Sequence, residues 1–118
     1  MFELNTRGAN RLVILTRQHA YKIPTLRNWR DFLFGLLNNM NEARLGRAGL
    51  DGYCPVLFAA PGGFLIVMPR ACILTEDEFL AFDAVEFCER GEYRINAEHK
   101  PDSFGRLGAR IVAVDYGW

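Results

Sequence analysis

The sequence predicts an α+β domain: a small antiparallel sheet with one long helix packed on it, then a shorter helix and a final hairpin. Three observations carry that reading. Strand-sized apolar runs come in pairs, residues 11–16 with 19–23 and 56–60 with 64–68, each pair joined by a short turn. Between the pairs, apolar residues recur every three or four positions over 25–48, the spacing of a helix with one apolar stripe. Farther on, Thr75 and Glu78 have the spacing of a capping box. At 118 residues the chain is one domain, 1–118, and long enough to bury a core.

The first strand pair is Leu12-Val13-Ile14-Leu15, a polar Thr16-Arg17-Gln18, then His19-Ala20-Tyr21-Lys22-Ile23. Pro24 ends the second strand because it has no N–H for a ladder. The helix is expected over about 26–47, capped by Thr25 or Asn28, with Gly46 and Gly49 near its end. Its stripe of Trp29, Phe32, Leu33, Leu36 and Met40 is expected to face the sheet. Leu36→Ala would then cost roughly 2–5 kcal/mol. Gly35 weakens the helix by about 1 kcal/mol relative to Ala and marks a bend or a tight contact. Pro61-Gly62-Gly63 turns the second strand pair, and Pro69-Arg70-Ala71-Cys72 reads as a connector. The helix opened by Thr75 buries Phe79, Leu80, Phe82, Val85, Phe87 and Cys88, with Gly91 as its stop. A hairpin around 105–108 leads into a last strand over 110–114.

Composition narrows the function classes. Half of the residues are hydrophobic, 24% are charged and the formal net charge is zero. That excludes a disordered chain, and it gives no overall field for nucleic acid or an anionic membrane. The longest apolar runs are far too short to span a bilayer, and the N-terminus has no basic region followed by an apolar core. Cys54, Cys72 and Cys88 form no metal or redox pattern, so reduced thiols in a cytoplasmic compartment are expected. Arg27, Arg30, Arg44 and Arg47 lie on or near the first helix, interrupted by Asp31 and Glu42, and read as a solvated face.

The end of the chain carries the densest chemistry. Glu98-His99-Lys100-Pro101-Asp102-Ser103-Phe104-Gly105 precedes a hairpin, the run Ile111-Val112-Ala113-Val114, and Asp115-Tyr116-Gly117. This pattern resembles the catalytic segment of the protein-kinase-like superfamily, D-x-K-P-x-N followed by a strand and D-[FY]-G. The phrase Phe104-Gly105 before a hairpin is similar to small kinase-like proteins of bacteria and their viruses. The resemblance runs from about Thr6 to Gly117. It implies a kinase small-lobe-like sheet and helix at about 1–70. Residues 71–118 would supply a linker helix, a catalytic-loop-like segment and the D-Y-G strand, with the large lobe absent.

Each site residue follows from that resemblance. Glu98 stands in the place of the catalytic base, one carbon too long, and a displacement of that size can cost about 10²-fold in rate. A shifted alignment would recruit His99 or Asp102 instead. Ser103 stands in the place of the metal-binding Asn, and Asp115 keeps the metal-binding carboxylate. Thr6-Arg7-Gly8-Ala9-Asn10-Arg11-Leu12-Val13 has the frame of the glycine-rich phosphate loop, with only Gly8 of its three glycines. Arg11 either donates to a phosphate or fills the space where backbone would meet one. Ala20-Tyr21-Lys22 matches the strand lysine, and Glu42, twenty residues on, matches its helix partner. Met68 is either the back of an adenine pocket or an ordinary core methionine.

Three functional classes are open. One is a catalytically impaired, pseudokinase-like interaction module, encoded by a bacteriophage or mobile element and binding a host protein in the bacterial cytoplasm. The second is a nucleotide-binding protein or minimal phosphotransferase with ATP and Mg2+ as ligands. The third is an unrelated α+β domain. The first requires no cofactor. It implies a protein partner or a homodimer over the surface a large lobe would cover, and neither nucleic acid nor membrane. That surface would expose the last strand and the 75–90 helix, with Trp118 suited to the contact.

Overall fold

A tight turn builds the first hairpin. Arg11–Leu15 (β2) and His19–Pro24 (β3) pair antiparallel, and the Thr16 N–H donates to the His19 carbonyl at 2.9 Å. Along β3, buried Ala20, Lys22 and Pro24 alternate with half-exposed His19, Tyr21 and Ile23, the period of a strand with one covered face. The structure, a computed structural model, describes residues 3–5, 11–50, 52–89, 94–95 and 97–117. Among these residues it is an α+β fold with two antiparallel sheets and one long helix.

Glu3–Asn5 (β1), a strand not expected from sequence, pairs with β2. Ile66–Pro69 (β5) pairs with β3, and Phe58–Ala59 (β4) pairs with β5. The five strands run β1-β2-β3-β5-β4. Strands β4 and β5 are shorter than the expected 56–60 and 64–68, and the expected Pro61-Gly62-Gly63 turn between them is a 3-10 turn. Gly62 and Gly63 there have φ of 77° and 82°, a region that favours glycine.

The long helix is Trp29–Arg47 (α1). Asn28 is its cap, its Oδ1 accepting the Asp31 N–H at 2.9 Å. Gly49, with φ of 72°, follows the last turn. The expected inward stripe is corrected here. Trp29 is 77% exposed, Leu33 and Met40 are exposed, and Phe32 and Leu36 are only half-buried. Gly35, Asn39, Glu42 and the partly covered Gly46 form the inward stripe, at helical spacing. The physical reason is twofold. Glu42 and Asn39 have buried cations and carbonyls to meet, and the glycines let backbone come close. A side chain on Gly63 would strike the Leu36 carbonyl, and one on Gly46 would strike Val56 and Tyr116.

The second sheet is Cys72–Ile73 (β6), Phe104–Leu107 (β7) and Arg110–Ala113 (β8) in that order, so the expected connector after β5 ends in a strand. Gly108, φ 66°, turns its hairpin. The capping box is formed, with Thr75 Oγ1 accepting from Glu78 N and Glu78 Oε1 accepting from Thr75 N. The helix it opens is not continuous. It splits into Glu76–Leu80 (α2) and Ala84–Glu89 (α3), because Asp83 restarts it by accepting the Glu86 N–H at 2.9 Å. Leu80 and Val85 are therefore exposed rather than buried. Phe87 and Cys88 are in the core, with Phe79 and Phe82 packed against it. Phe104 is fully buried among Phe79, Phe82 and Phe87, with ring centroids 5.3 to 6.2 Å away. Val112 and Ala113 of β8 are fully buried too, against the expectation of an exposed last strand.

Candidate functional site

The inward stripe of α1 converges with β2, β3 and the segment after β8 on one carboxylate. Glu42 is fully buried and accepts from five donors. Arg11 grips it with two nitrogens, Nη1 to Oε1 and Nη2 to Oε2, both at 2.8 Å. Lys22 Nζ reaches Oε1 at 2.8 Å. The backbone N–H groups of Tyr116 and Gly117 each donate to Oε2 at 3.0 Å. Burial alone would raise the Glu42 carboxyl, but the two cations and their hydrogen bonds overcome it and hold it at about 2. Burial pulls Lys22 below its ordinary value of 10.5, with Glu42 opposing.

Asn39 and Asp115 complete the cluster. Asn39 accepts from Arg11 Nη1 at 3.2 Å and donates to the Lys22 and Gly63 carbonyls at 3.0 and 2.8 Å. That amide ties β3, the 61–63 turn and Arg11 to α1. Asp115 Oδ1 accepts from Arg11 Nη2 at 2.7 Å, and its side chain is 39% exposed. Lys22 Nζ also donates to the Val114 carbonyl. Tyr116 is fully buried. Its hydroxyl donates to the Cys54 carbonyl at 2.6 Å, and its ring lies 4.4 Å from that of Tyr53. Gly117 has to be glycine, since a Cβ there would meet the Asn38 carbonyl.

The structure thus joins Arg11, Lys22, Glu42 and Asp115 in one cluster, while Glu98, Ser103 and Met68 have other neighbours. Glu98 is exposed and paired with Lys100 at 3.0 Å, and Asp102 lies 3.8 Å from that same ammonium. Hydrogen bonding to Glu98 raises the Lys100 ammonium. Ser103 is fully buried, its carbonyl accepting the Val114 N–H at 2.9 Å while its hydroxyl has no partner among the described residues. Met68 is 1% exposed within the hydrophobic core. Gly8 lies outside the described residues, as do Thr6, Gly91 and Trp118. Of the two roles open to Arg11, the side chain is spent on carboxylates. Asn39 was missed from sequence, and its signal was its spacing from Gly35, Glu42 and Gly46.

Arg11 already engages the Asp115 carboxylate, the group a divalent cation would use. A guanidinium holds one oxygen of that carboxylate at 2.7 Å and both oxygens of Glu42. A divalent cation there would have to share that carboxylate with Arg11. The Cys54 thiol adds no chemistry here: burial pushes it up to about 11, the behaviour of an inert core thiol. No protein-family model, curated protein or solved structure matches the chain.

Proposed function

We propose that the protein is a non-catalytic, kinase-fold-like interaction module whose buried ion cluster serves as an internal brace. The observation that carries this reading is Arg11, which bridges Glu42 and Asp115 at 2.8 and 2.7 Å. In phosphoryl transfer nearly all catalysis is positioning and charge stabilisation. Here the acidic groups suited to that work are neutralised from within the chain. Glu98, the candidate base, is exposed and engaged by Lys100.

A second reading, a nucleotide-binding protein or minimal phosphotransferase, is favoured by the 2.8 Å Lys22–Glu42 pair. Thermal shift with ATP, with and without Mg2+, separates the two. The interaction-module reading expects no Mg2+-dependent stabilisation and no transfer of labelled phosphate to a bacterial lysate. A shift abolished by Lys22→Ala would favour the second reading. Phosphate transfer abolished by both Lys22→Ala and Asp115→Ala would overturn the first.

A further inference from the structure

Helix α1 is inside out with respect to its own sequence. Opposite the inward stripe of Gly35, Asn39 and Glu42 lie Trp29, Leu33, Leu37 and Met40, between 47% and 77% exposed. The same outward arc carries Arg30, Arg44 and Arg47 and no carboxylate. The two acids of the helix are elsewhere: Glu42 is buried, and Asp31 sits on the flank, paired with Arg27 at 2.9 Å. The arginines are solvent-exposed, as expected from sequence, but of the two acids expected to interrupt them Glu42 is buried and Asp31 lies on the flank, which leaves the face apolar and cationic. At its upstream end Leu26, Arg27, Asn28, Trp29 and Phe32 line a cleft of about 360 Å³. The rings of Trp29, Phe32 and Phe64 run on from it, with successive centroids 5.7 and 6.3 Å apart. The Arg30 guanidinium lies over the Phe34 ring, 5.8 Å from its centroid.

We infer that this face of α1 binds an amphipathic helical segment of a partner protein, apolar on one side and acidic along its rim. Such segments dock through apolar anchors at helical spacing, and Trp29, Leu33, Leu37 and Met40 present the complementary row. Charge selects the rim: carboxylates would meet Arg30, Arg44 and Arg47 without competition from an acid on this arc. A second copy is the poorer occupant, because two α1 faces would set arginines against arginines. A bilayer has no side chain to fill the Leu26–Trp29–Phe32 cleft, whereas a helix can seat one Phe or Leu there. The inference gives the interaction-module reading its partner class and rests on that reading for its role.

The test uses two fluorescein-labelled synthetic helices with the same Leu and Phe positions, one with Glu and one with Lys at its polar positions. Anisotropy titration should show the Glu helix binding at least about tenfold tighter than the Lys helix. Leu33→Glu with Leu37→Glu should abolish binding. Arg30→Glu with Arg44→Glu should reverse the preference. All four positions are solvent-facing, so circular dichroism should show both variants folded. Saturable binding that is absent, equal for the two helices, or unchanged in the leucine variant would overturn the inference. So would a dimer by light scattering, or sedimentation with phosphatidylserine vesicles, that the leucine variant abolishes. Nucleotide assays read the cluster on the other face of α1. Phosphate transfer alongside selective Glu-helix binding would refute only the non-catalytic reading, and loss of selectivity without phosphate transfer would refute only this one.

Discussion

The two sheets of this protein meet their helices by opposite means. The five-stranded sheet holds α1 through Glu42, Asn39, Arg11 and Lys22, all at most 8% exposed. The three-stranded sheet holds α2 and α3 through Phe79, Phe82, Phe87 and Phe104. Apolar packing is non-directional and tolerates small shifts. A buried ion cluster tolerates few, because each charge left without its partner carries a desolvation cost of several kcal/mol. Rings therefore supply cohesion on one side, and fixed donors and acceptors supply registry on the other. Registry matters there, since α1, β2, β3 and residues 114–117 must all meet at one carboxylate.

The largest expected effects come from cutting each region at its centre. Glu42→Ala should destabilise the fold by about 3–5 kcal/mol, because Arg11 and Lys22 remain buried without their counter-ion. Phe104→Ala should cost a similar ~3–5 kcal/mol through the cavity it leaves. Urea unfolding measures both. The comparison breaks if the Glu42 variant is as stable as the wild type.

Acid should separate the regions next. Glu42 has a folded value of about 2 against an ordinary 4.5. Its contribution is complete above 4.5 and is lost as pH falls from 4.5 through about 2, because the unfolded chain takes up its proton first. The loss is on the order of 3 kcal/mol. The stability gap between wild type and Glu42→Gln should shrink across that window, whereas the gap between wild type and Phe104→Ala should not.

Smaller effects sharpen the picture. Gly63→Ala should cost about 1–3 kcal/mol, from the clash with the Leu36 carbonyl and the positive φ, as read by thermal unfolding. Asn28→Ala and Thr75→Ala each remove a helix cap and should cost about 1 kcal/mol. Leu36→Ala, expected from sequence to cost 2–5 kcal/mol, should fall below that range, because Leu36 is only half-buried.

Much of the backbone was legible in the sequence, and the reasons are local. Pro24, the Pro61–Gly63 turn, Asn28 and the Thr75–Glu78 box act within a few residues, so their meaning survives without tertiary context. The Lys22–Glu42 pair was legible only through the kinase-like resemblance, which sets a strand lysine against a glutamate about twenty residues on in the next helix. The faces of α1 were not. Apolar periodicity usually marks the covered side, but the residues at 35, 39, 42 and 46 form an equally periodic set of small and polar side chains. The destination of Arg11 could not be read either, since an arginine suited to a phosphate is equally suited to two carboxylates. The break at Asp83 followed from a second capping aspartate inside an otherwise continuous apolar pattern. The two-residue strand β6 exists only because β7 lies beside it.

The Arg11–Asp115 bridge joins residues 104 positions apart. That separation has a consequence for how the chain reaches its fold. Contacts distant in sequence require a large loop to close before they return any stabilisation, and they slow folding. Until residues 114–117 arrive, Glu42 lacks two of its backbone donors, and Arg11 lacks its second carboxylate. A ribosome-bound chain that has exposed only β1 to β5 thus holds a sheet and a helix whose shared cluster is incomplete. Completion of the cluster that docks α1 therefore has to await the D-Y-G segment, which leaves the ribosome after β1 to β5.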